Sequence, residues 1–275
     1  MLPRGTTDIS LARRATILSG DIFGSPRLTP RIADIRLLLC PLARNDIRTV
    51  RCLGLNYARH AAESKMPEPK YPVVFYKPAT AVTGPLDPIP VPHVAQDPPN
   101  VDYECELVAV IGKEARDVSE ADALNYVLGY CVGNDVSHRE WQLARGLGKG
   151  FDGWAPIGPG LVAPSAIPDP QALRISTFVN GEKVQSSSTA DQIFSVARAI
   201  SFLSRGTTLA PGDLIFTGTP EGVGMGRNPK LWLRDGDVVE VELEGVGRCR
   251  NVVQFERAST TPPPPPSPET ERSRL

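Results

Sequence analysis

Short apolar segments alternate with turn-forming residues along most of this chain. Residues 107–111 form a continuous apolar run closed by Gly112, which is typical of a buried strand. Residues 237–244 and 247–255 alternate apolar and polar positions on either side of a Glu-Gly turn, and this pattern predicts two paired strands. The Asn-Gly pair within residues 178–182 is the strongest short signal for a β-hairpin. We therefore expect a mostly β protein of the α+β class.

Helical patterns are short and few. Residues 58–63 follow a short strand and precede two prolines, and residues 196–203 are amphipathic, so both segments are predicted to be helices. Short apolar pieces and turn signals predict a small N-terminal region at residues 1–48. The main domain is predicted at residues 49–257, and the proline-rich residues 258–275 are predicted to be a disordered tail.

Charge and composition argue against two classes of partner. The 275-residue chain has a formal net charge of −1, which gives no basic field of the kind that nucleic-acid binding requires. Apolar residues make up 41% of the chain, but no apolar run approaches the roughly 20 residues that cross a bilayer. We therefore expect neither a nucleic-acid partner nor a membrane partner.

Cysteine usage and the first residues bear on the compartment. The five cysteines are widely spaced, which fits neither a zinc site nor a disulfide framework, so reduced thiols and a cytoplasmic location are expected. A mitochondrial presequence is the alternative, because the first twenty residues contain Arg4, Arg13 and Arg14. A secretory signal is not expected, because no apolar signal core follows these arginines.

Three carboxylates are candidates for a metal site. Glu104 and Glu106 stand at the entry of the predicted buried strand, where side chains two apart share a face. Asp135 ends another apolar segment and would add a third oxygen ligand. Three oxygen ligands without a nearby histidine or cysteine cluster favour Mg²⁺, with Mn²⁺ and Ca²⁺ as alternatives. The competing interpretation is a solvated strand edge, because carboxylates usually face water.

Other residues have the spacing of a catalytic or binding site. His60 and Glu63 are three apart on a predicted helix, so the carboxylate can orient the imidazole as a general base; a surface helix pair is the alternative. Arg139 and Gln142 are also three apart and could face one ligand. The glycines of residues 218–224 let backbone N–H groups approach a small anion, although glycines serve turns as often.

Several ordered motifs make the chain resemble the fumarylacetoacetate hydrolase family over about residues 49–253. The matching segments are GLNYARHAAE at 54–63, DYECEL at 102–107, GNDVSHREWQ at 133–142, KGFD at 149–152 and TGTPEGVG at 217–224. Residues 143–148, between the third and fourth motifs, form a shorter segment than is usual in the family.

The resemblance implies a mixed β-sandwich roll with a small N-terminal region, assembled as a homodimer. It implies a metal-dependent enzyme that hydrolyses or decarboxylates a C–C bond of a small 2-oxo or β-diketo acid, such as an acylpyruvate, fumarylpyruvate or an oxaloacetate-like acid. An isomerase or pathway-specific tailoring enzyme on the same metal site is one alternative, and a catalytically silent binding or scaffold subunit is another. The roles carried over are metal ligands for Glu104, Glu106 and Asp135, catalysis for His60, Glu63 and Lys149, and substrate binding for Lys77 and Thr219, beside the Arg139 and Gln142 pair.

Overall fold

The computed structural model describes residues 8–145 and 147–257, and within this part the chain is built mainly from short strands. The predicted disordered tail at residues 258–275 lies outside the described residues, and the predicted domain boundaries stay a prediction. The strands are β1 Arg14–Ser19, β2 Arg27–Asp34, β3 Val50–Gly54, β4 Val73–Lys77, β5 Val82–Thr83, β6 Ile89–Val91, β7 Val101–Asp102, β8 Cys105–Ile111, β9 Ala115–Arg116, β10 Val127–Asn134, β11 Ser137–His138, β12 Ala155–Val162, β13 Arg174–Val179, β14 Glu182–Ser188, β15 Thr208–Leu209, β16 Leu214–Phe216, β17 Val238–Leu243 and β18 Gly247–Phe255.

Helices occupy little of the described chain. They are α1 Ala58–Glu63, α2 Arg139–Arg145 and α3 Val196–Leu203. The helix α3 begins at the predicted amphipathic segment, and its N-cap Ser195 accepts a hydrogen bond from the Arg198 N–H. No helix in residues 8–145 and 147–257 is long and apolar enough to span a membrane. The predicted mostly β, α+β fold class is confirmed.

Two larger sheets contain most of the strands. One has seven strands in the order β4-β3-β16-β8-β10-β12-β5, and the other has five in the order β14-β13-β17-β18-β6. The strand pairs β1-β2, β7-β11 and β9-β15 form separate two-stranded sheets. The curled mixed sheet is the architecture expected for the roll.

The central strand β8 is buried along its whole length. Its residues Leu107, Ala109 and Ile111 pack in the larger core, whereas Val108 and Val110 pack in a second core on the opposite face. A strand covered on both faces must be apolar at successive positions, which explains the continuous apolar run. The polar residues at its start therefore lie at the edge of two cores.

The five cysteines of the chain have free thiols, and four of them are buried. Burial raises the pKa of the Cys131 and Cys249 thiols, which keeps them protonated and chemically inert. The expected reduced thiols are consistent with this arrangement.

Candidate active site

Strand pairing brings the three predicted metal-ligand residues together. In the antiparallel pair β8–β10, Gly133 lies opposite Glu106, so the residue that follows β10, Asp135, reaches the start of β8. There the Asp135 N–H donates to the Glu104 carbonyl oxygen over 2.8 Å. One carboxylate oxygen from each of Glu104, Glu106 and Asp135 lies within 4.8 Å of the others, and all three residues are buried. This buried acidic triad could hold a metal ion.

The amino group of Lys149 lies between two of these carboxylates. It donates to Glu104 Oε2 over 2.8 Å and to Asp135 Oδ2 over 2.5 Å. Burial opposes the charge of this ammonium group, but the carboxylates of Asp135 and Glu104 raise the pKa of Lys149 above its usual range. Two of its three N–H donors are used in these ion pairs, which leaves one for a ligand.

Gly148 allows Lys149 to take this position. A Cβ atom on Gly148 would lie 2.4 Å from the Gln142 backbone nitrogen and 2.5 Å from the His138 carbonyl oxygen, so only glycine fits against the first turn of α2. Residues 143–148, the segment expected to be shorter than is usual in the family, thus end in a close backbone contact.

Lys77 contacts a carboxylate of the acidic triad. Its fully buried amino group forms an ion pair with Asp135 Oδ1 and donates to the Val136 carbonyl oxygen over 3.1 Å. It lies on the far side of Asp135 and does not line the cavity described below. Lys77 therefore positions the Asp135 carboxylate, and its contact with substrate stays a prediction.

Glu106 has the least compensated charge of the triad. Among the described residues it forms no ion pair, and its carboxylate accepts one hydrogen bond, from the Gly218 N–H over 2.7 Å. Burial and the neighbouring Asp135 and Glu104 carboxylates raise the pKa of Glu106 well above its usual range. Glu104 differs, since Lys149 and Arg139 outweigh its burial and lower its pKa. The donor set of three carboxylates fits a hard divalent cation, which would neutralise Glu106.

Arg139 is held by two carboxylates. Its Nε donates to Asp102 Oδ2 over 2.7 Å, and its Nη1 donates to Glu104 Oε1 over 2.5 Å and to Gln142 Oε1 over 3.1 Å. The third nitrogen, Nη2, is buried without a hydrogen-bond partner among the described residues. The predicted pair of Arg139 and Gln142 is therefore in contact.

Asp102 is a functional candidate that the sequence did not single out. Besides Arg139, its carboxylate accepts hydrogen bonds from the Gly224 N–H over 2.7 Å and the Met225 N–H over 2.9 Å. Asp102 thereby joins Arg139 to residues 218–224, which we call the glycine-rich loop. The sequence signal for Asp102 is its place as the first residue of the DYECEL motif.

The predicted His60–Glu63 pair is formed on α1. His60 Nδ1 lies 3.1 Å from Glu63 Oε2, and Glu63 Oε1 accepts a hydrogen bond from the Gly222 N–H over 3.0 Å. Burial acts to raise the pKa of Glu63, but the hydrogen bonds from His60 and Gly222 outweigh it and lower that pKa. The ionised Glu63 carboxylate accepts a hydrogen bond from the Nδ1–H of His60. The other ring nitrogen, Nε2, is then the one that can accept a proton.

Helix α1 is attached to its surroundings by Arg59. The Arg59 N–H and Nε both donate to the Asp191 carboxylate, over 3.0 Å and 3.2 Å, and Nη1 lies 3.3 Å from Glu221 Oε1. Because Glu221 and Gly222 are neighbours in the glycine-rich loop, both Arg59 and Glu63 fix the helix to that loop. His60 is held between these two attachments.

Thr219 belongs to the same loop. The preceding Gly218 has a φ of +94°, and a Cβ atom there would lie 2.7 Å from Asn56 Cβ, so the turn requires glycine. The Thr219 hydroxyl accepts a hydrogen bond from Gln185 Nε2 over 3.0 Å, and the same amide donates to the Pro220 carbonyl oxygen. Gln185 lies in β14, where nothing in the sequence distinguishes it from other strand residues.

One cavity of about 300 Å³ is lined by side chains of the acidic triad, of α1, of α2 and of the glycine-rich loop. Its volume is at the lower end of the range for small-molecule sites, and this favours a small substrate. The Gln142 side chain also reaches it. Its main polar lining residues are His60, Glu104, Glu106, Arg139, Lys149 and Thr219.

The remaining wall of the cavity is apolar. Where the two kinds of wall meet, the Lys149 amino group lies 4.7 Å from the centre of the Phe75 ring. The apolar lining residues are Leu53, Leu55, Met66, Val73, Phe75 and Met225.

Comparison with known proteins gives a family match over most of the chain. Residues 49–254 match the model of the fumarylacetoacetate (FAA) hydrolase C-terminal family. A caffeoylpyruvate hydrolase from Neonothopanus nambi is 44% identical over 267 residues, covering 92% of this chain and 86% of its own length. A fumarylacetoacetate hydrolase domain-containing protein 2 homolog from Dictyostelium discoideum is 48% identical over 217 residues, covering 74% of this chain and 70% of its own.

Solved structures agree with this match. A 2-hydroxyhepta-2,4-diene-1,7-dioate isomerase from Mycobacterium marinum superposes with a TM-score of 0.75 at 38% identity, covering 88% of each chain. A fumarylacetoacetate hydrolase from Exiguobacterium antarcticum superposes with a TM-score of 0.72 at 39% identity, covering 86% of this chain and 84% of its own. The similar proteins thus include both hydrolases and an isomerase.

Proposed function

The chain belongs to the fumarylacetoacetate hydrolase family, and we propose that it is a divalent-metal-dependent enzyme that hydrolyses a carbon–carbon bond of a small 2-oxo acid of the acylpyruvate type. One observation carries the proposal: a single small cavity is lined by carboxylates of the acidic triad, by two cations and by the histidine of a His–Glu pair. The similar caffeoylpyruvate hydrolase supports the reaction class. Decarboxylation of an oxaloacetate-like acid is the closest variant of this proposal, because it uses the same 2-oxo acid group.

We assign the metal to Glu104, Glu106 and Asp135, with Mg²⁺ as the preferred ion because every ligand is a carboxylate oxygen. A divalent cation bound there would supply positive charge beside the 2-oxo acid group of the substrate. Lys77 and Lys149 hold the Asp135 carboxylate from two sides. These lysines therefore fix the orientation of one ligand before a metal arrives.

The substrate carboxylate is assigned to the cationic side of the cavity. The remaining N–H of Lys149 and the unpartnered Nη2 of Arg139 are the donors on charged lysine and arginine side chains there among the described residues. The Thr219 hydroxyl, whose lone pair is engaged by Gln185, can donate its proton to a substrate oxygen. Hydrogen bonds from charged donors to a carboxylate are stronger than neutral ones, so they can orient the acid.

His60 is assigned the role of general base, with Glu63 as its positioning residue. The Nε2 atom takes a proton from water, whose oxygen forms a bond with the acyl carbonyl carbon. The bond between that carbon and the pyruvate methylene carbon then breaks, and its electron pair stays with the pyruvate carbon, which takes a proton. One acylpyruvate and one water thus give one carboxylic acid and one pyruvate.

We also propose that the enzyme is a homodimer in the cytoplasm that binds a small 2-oxo acid and neither nucleic acid nor a membrane. Exposed apolar side chains on the hairpin β1–β2 support an association of copies, since Leu28 is 78% exposed and Ile32 is 45% exposed. The reduced thiols support the cytoplasmic location, and the near-zero net charge argues against a nucleic-acid partner.

An isomerase is the second candidate, supported by the similar isomerase from Mycobacterium marinum. Incubation of the Mg²⁺-loaded enzyme with acetylpyruvate, oxaloacetate and an unsaturated 2-oxo diacid distinguishes the candidates. The proposal predicts pyruvate and acetate in equal amounts from acetylpyruvate. A shifted double bond in the diacid without cleavage of acetylpyruvate would assign an isomerase, and no turnover of any of them would favour a binding subunit.

A further inference from the structure

The apolar wall of the cavity is formed mainly by the antiparallel strands β3 and β4. Gly54 on β3 lies opposite Val73 on β4, and Phe75 lies two residues further on the same face as Val73. A Cβ atom on Gly54 would lie 3.6 Å from Val73 Cγ1 and 3.9 Å from Phe75 Cε1. The missing side chain of Gly54 therefore leaves space beside these two apolar residues.

Leu55 continues this wall in an unusual backbone conformation. Its φ is +53°, in the left-handed region that bulky residues rarely adopt. Such a conformation is strained and persists where surrounding structure requires it. Here it places a leucine side chain at the cavity instead of the glycine that the backbone favours.

The positive charges of the cavity are held by its carboxylates, and one of them, Lys149, lies 4.7 Å from the centre of the Phe75 ring. Among the described lining residues, the lysine and arginine side chains are Lys149 and Arg139, and both are ion-paired with Glu104. A second carboxylate on the acyl group of a substrate would lie against Val73 without a cation of its own, because the remaining N–H of Lys149 is assigned to the 2-oxo acid carboxylate. Moving a charged group from water to an unpaired apolar site is strongly unfavourable, whereas an apolar group gains from the same transfer.

We infer that the acyl group of the preferred substrate is apolar, as in an aroylpyruvate, and that Gly54, Leu55, Val73 and Phe75 select it over acyl groups that end in a carboxylate. The inference rests on the proposed function and names its substrate class. It separates the two kinds of similar protein, because the hydrolase from Neonothopanus nambi is named for an aromatic acyl group and the isomerase from Mycobacterium marinum for a dioate.

Three probes test the selection with the Mg²⁺-loaded wild-type enzyme: benzoylpyruvate, acetylpyruvate and succinylpyruvate. The expected order of kcat/KM is benzoylpyruvate first and succinylpyruvate last, with at least about a tenfold difference between these two, as one group in an apolar pocket typically gives. A kcat/KM for succinylpyruvate equal to or above that for benzoylpyruvate would overturn the inference while leaving the proposed function intact. Cleavage of none of the three would instead reject the proposed function.

A charge introduced at Val73 should reverse the preference. Val73 is 49% exposed, so Val73→Arg is expected to fold and to place a cation at the apolar wall. The ratio of kcat/KM for succinylpyruvate to that for benzoylpyruvate should rise at least about tenfold. Tyr76→Arg is the matched control, because Tyr76 is 58% exposed on the same strand but does not line the cavity. An unchanged ratio in folded Val73→Arg, or an equal rise in both variants, would contradict the assignment.

A side chain introduced at Gly54 tests the space itself. Gly54 lies in a strand without a left-handed φ, so a side chain is sterically compatible with its backbone. Gly54→Leu should lower kcat/KM for benzoylpyruvate at least about tenfold more than for acetylpyruvate, because only the larger acyl group needs the space. An equal loss for both substrates, with melting temperature unchanged, would place the acyl group elsewhere.

Discussion

Glu106 illustrates how single residues define this site. It is the buried carboxylate that lacks an ion pair among the described residues, and burial together with its neighbours Asp135 and Glu104 raises its pKa. Lys149 compensates the other two carboxylates through direct hydrogen bonds. A divalent cation would therefore gain most from Glu106, which makes this residue the sharpest test of the metal assignment.

We predict that Glu106→Gln loses Mg²⁺ binding, because an amide lacks the negative charge that a hard cation requires. Calorimetry should show binding to the wild type and none to the variant. A ligand that binds only the folded state stabilises it by about 2.7 kcal/mol at a concentration of 100 times Kd, so Mg²⁺ should raise the melting temperature of the wild type alone.

Glu242→Gln is the control for this experiment, since Glu242 lies outside the triad and pairs with Arg248 at 2.7 Å. It should bind Mg²⁺ as the wild type does. Equal Mg²⁺ affinity in Glu106→Gln and the wild type would reject the triad as the metal site.

At the scale of elements, the position of α1 decides whether His60 can act. The helix contributes only six residues and therefore depends on contacts with the glycine-rich loop. Glu63 accepts the Gly222 N–H, and Arg59 pairs with Glu221 of the same loop. We therefore expect the helix and the loop to behave as one unit.

We predict a pH-dependent stability effect for Glu63→Gln. The pKa of Glu63 is lowered in the folded protein, so its charged form stabilises the fold above the unfolded-state pKa, and this contribution is lost as pH falls through the folded-state pKa. The variant should be less stable by about 1 kcal/mol at pH 7, the typical net value of a partly exposed charged hydrogen bond, and by less at about pH 3.

Urea unfolding of both proteins at the two pH values measures this difference. Glu68→Gln is the matched control, because Glu68 is an exposed carboxylate shortly after the same helix and should show no such pH dependence. A loss of stability for Glu63→Gln that is equal at both pH values would show that the Glu63 charge does not hold the helix.

At the scale of the whole molecule, local patterns predicted the strands and turns better than the contacts between distant segments. The continuous apolar run became the doubly covered strand β8, and the Asn-Gly signal became a hairpin turn with φ of +52° at Asn180 and +83° at Gly181, as a type I′ turn requires. These features depend on neighbours in sequence. The family and the fold class were confirmed, because several ordered motifs specify them together.

The parts that the sequence did not reveal depend on contacts between distant segments. Lys77 contacts Asp135, Arg139 contacts Asp102, and Gln185 contacts Thr219, and each pair is separated by more than thirty residues. Such pairs become neighbours only when the order and register of the strands are known. A lysine at the end of a strand therefore gave no indication of whether it would face substrate or a carboxylate.

We propose that His60, held by Glu63, activates water for cleavage in the cavity that the acidic triad lines. The most direct test is the rate of pyruvate release from acetylpyruvate by the Mg²⁺-loaded wild type, by His60→Ala and by His93→Ala, an exposed histidine that does not line the cavity. We predict that His60→Ala lowers kcat by about 10²–10⁴ with Mg²⁺ affinity unchanged, as expected for loss of a positioned general base, and that His93→Ala behaves as the wild type. Wild-type kcat in His60→Ala would contradict the account.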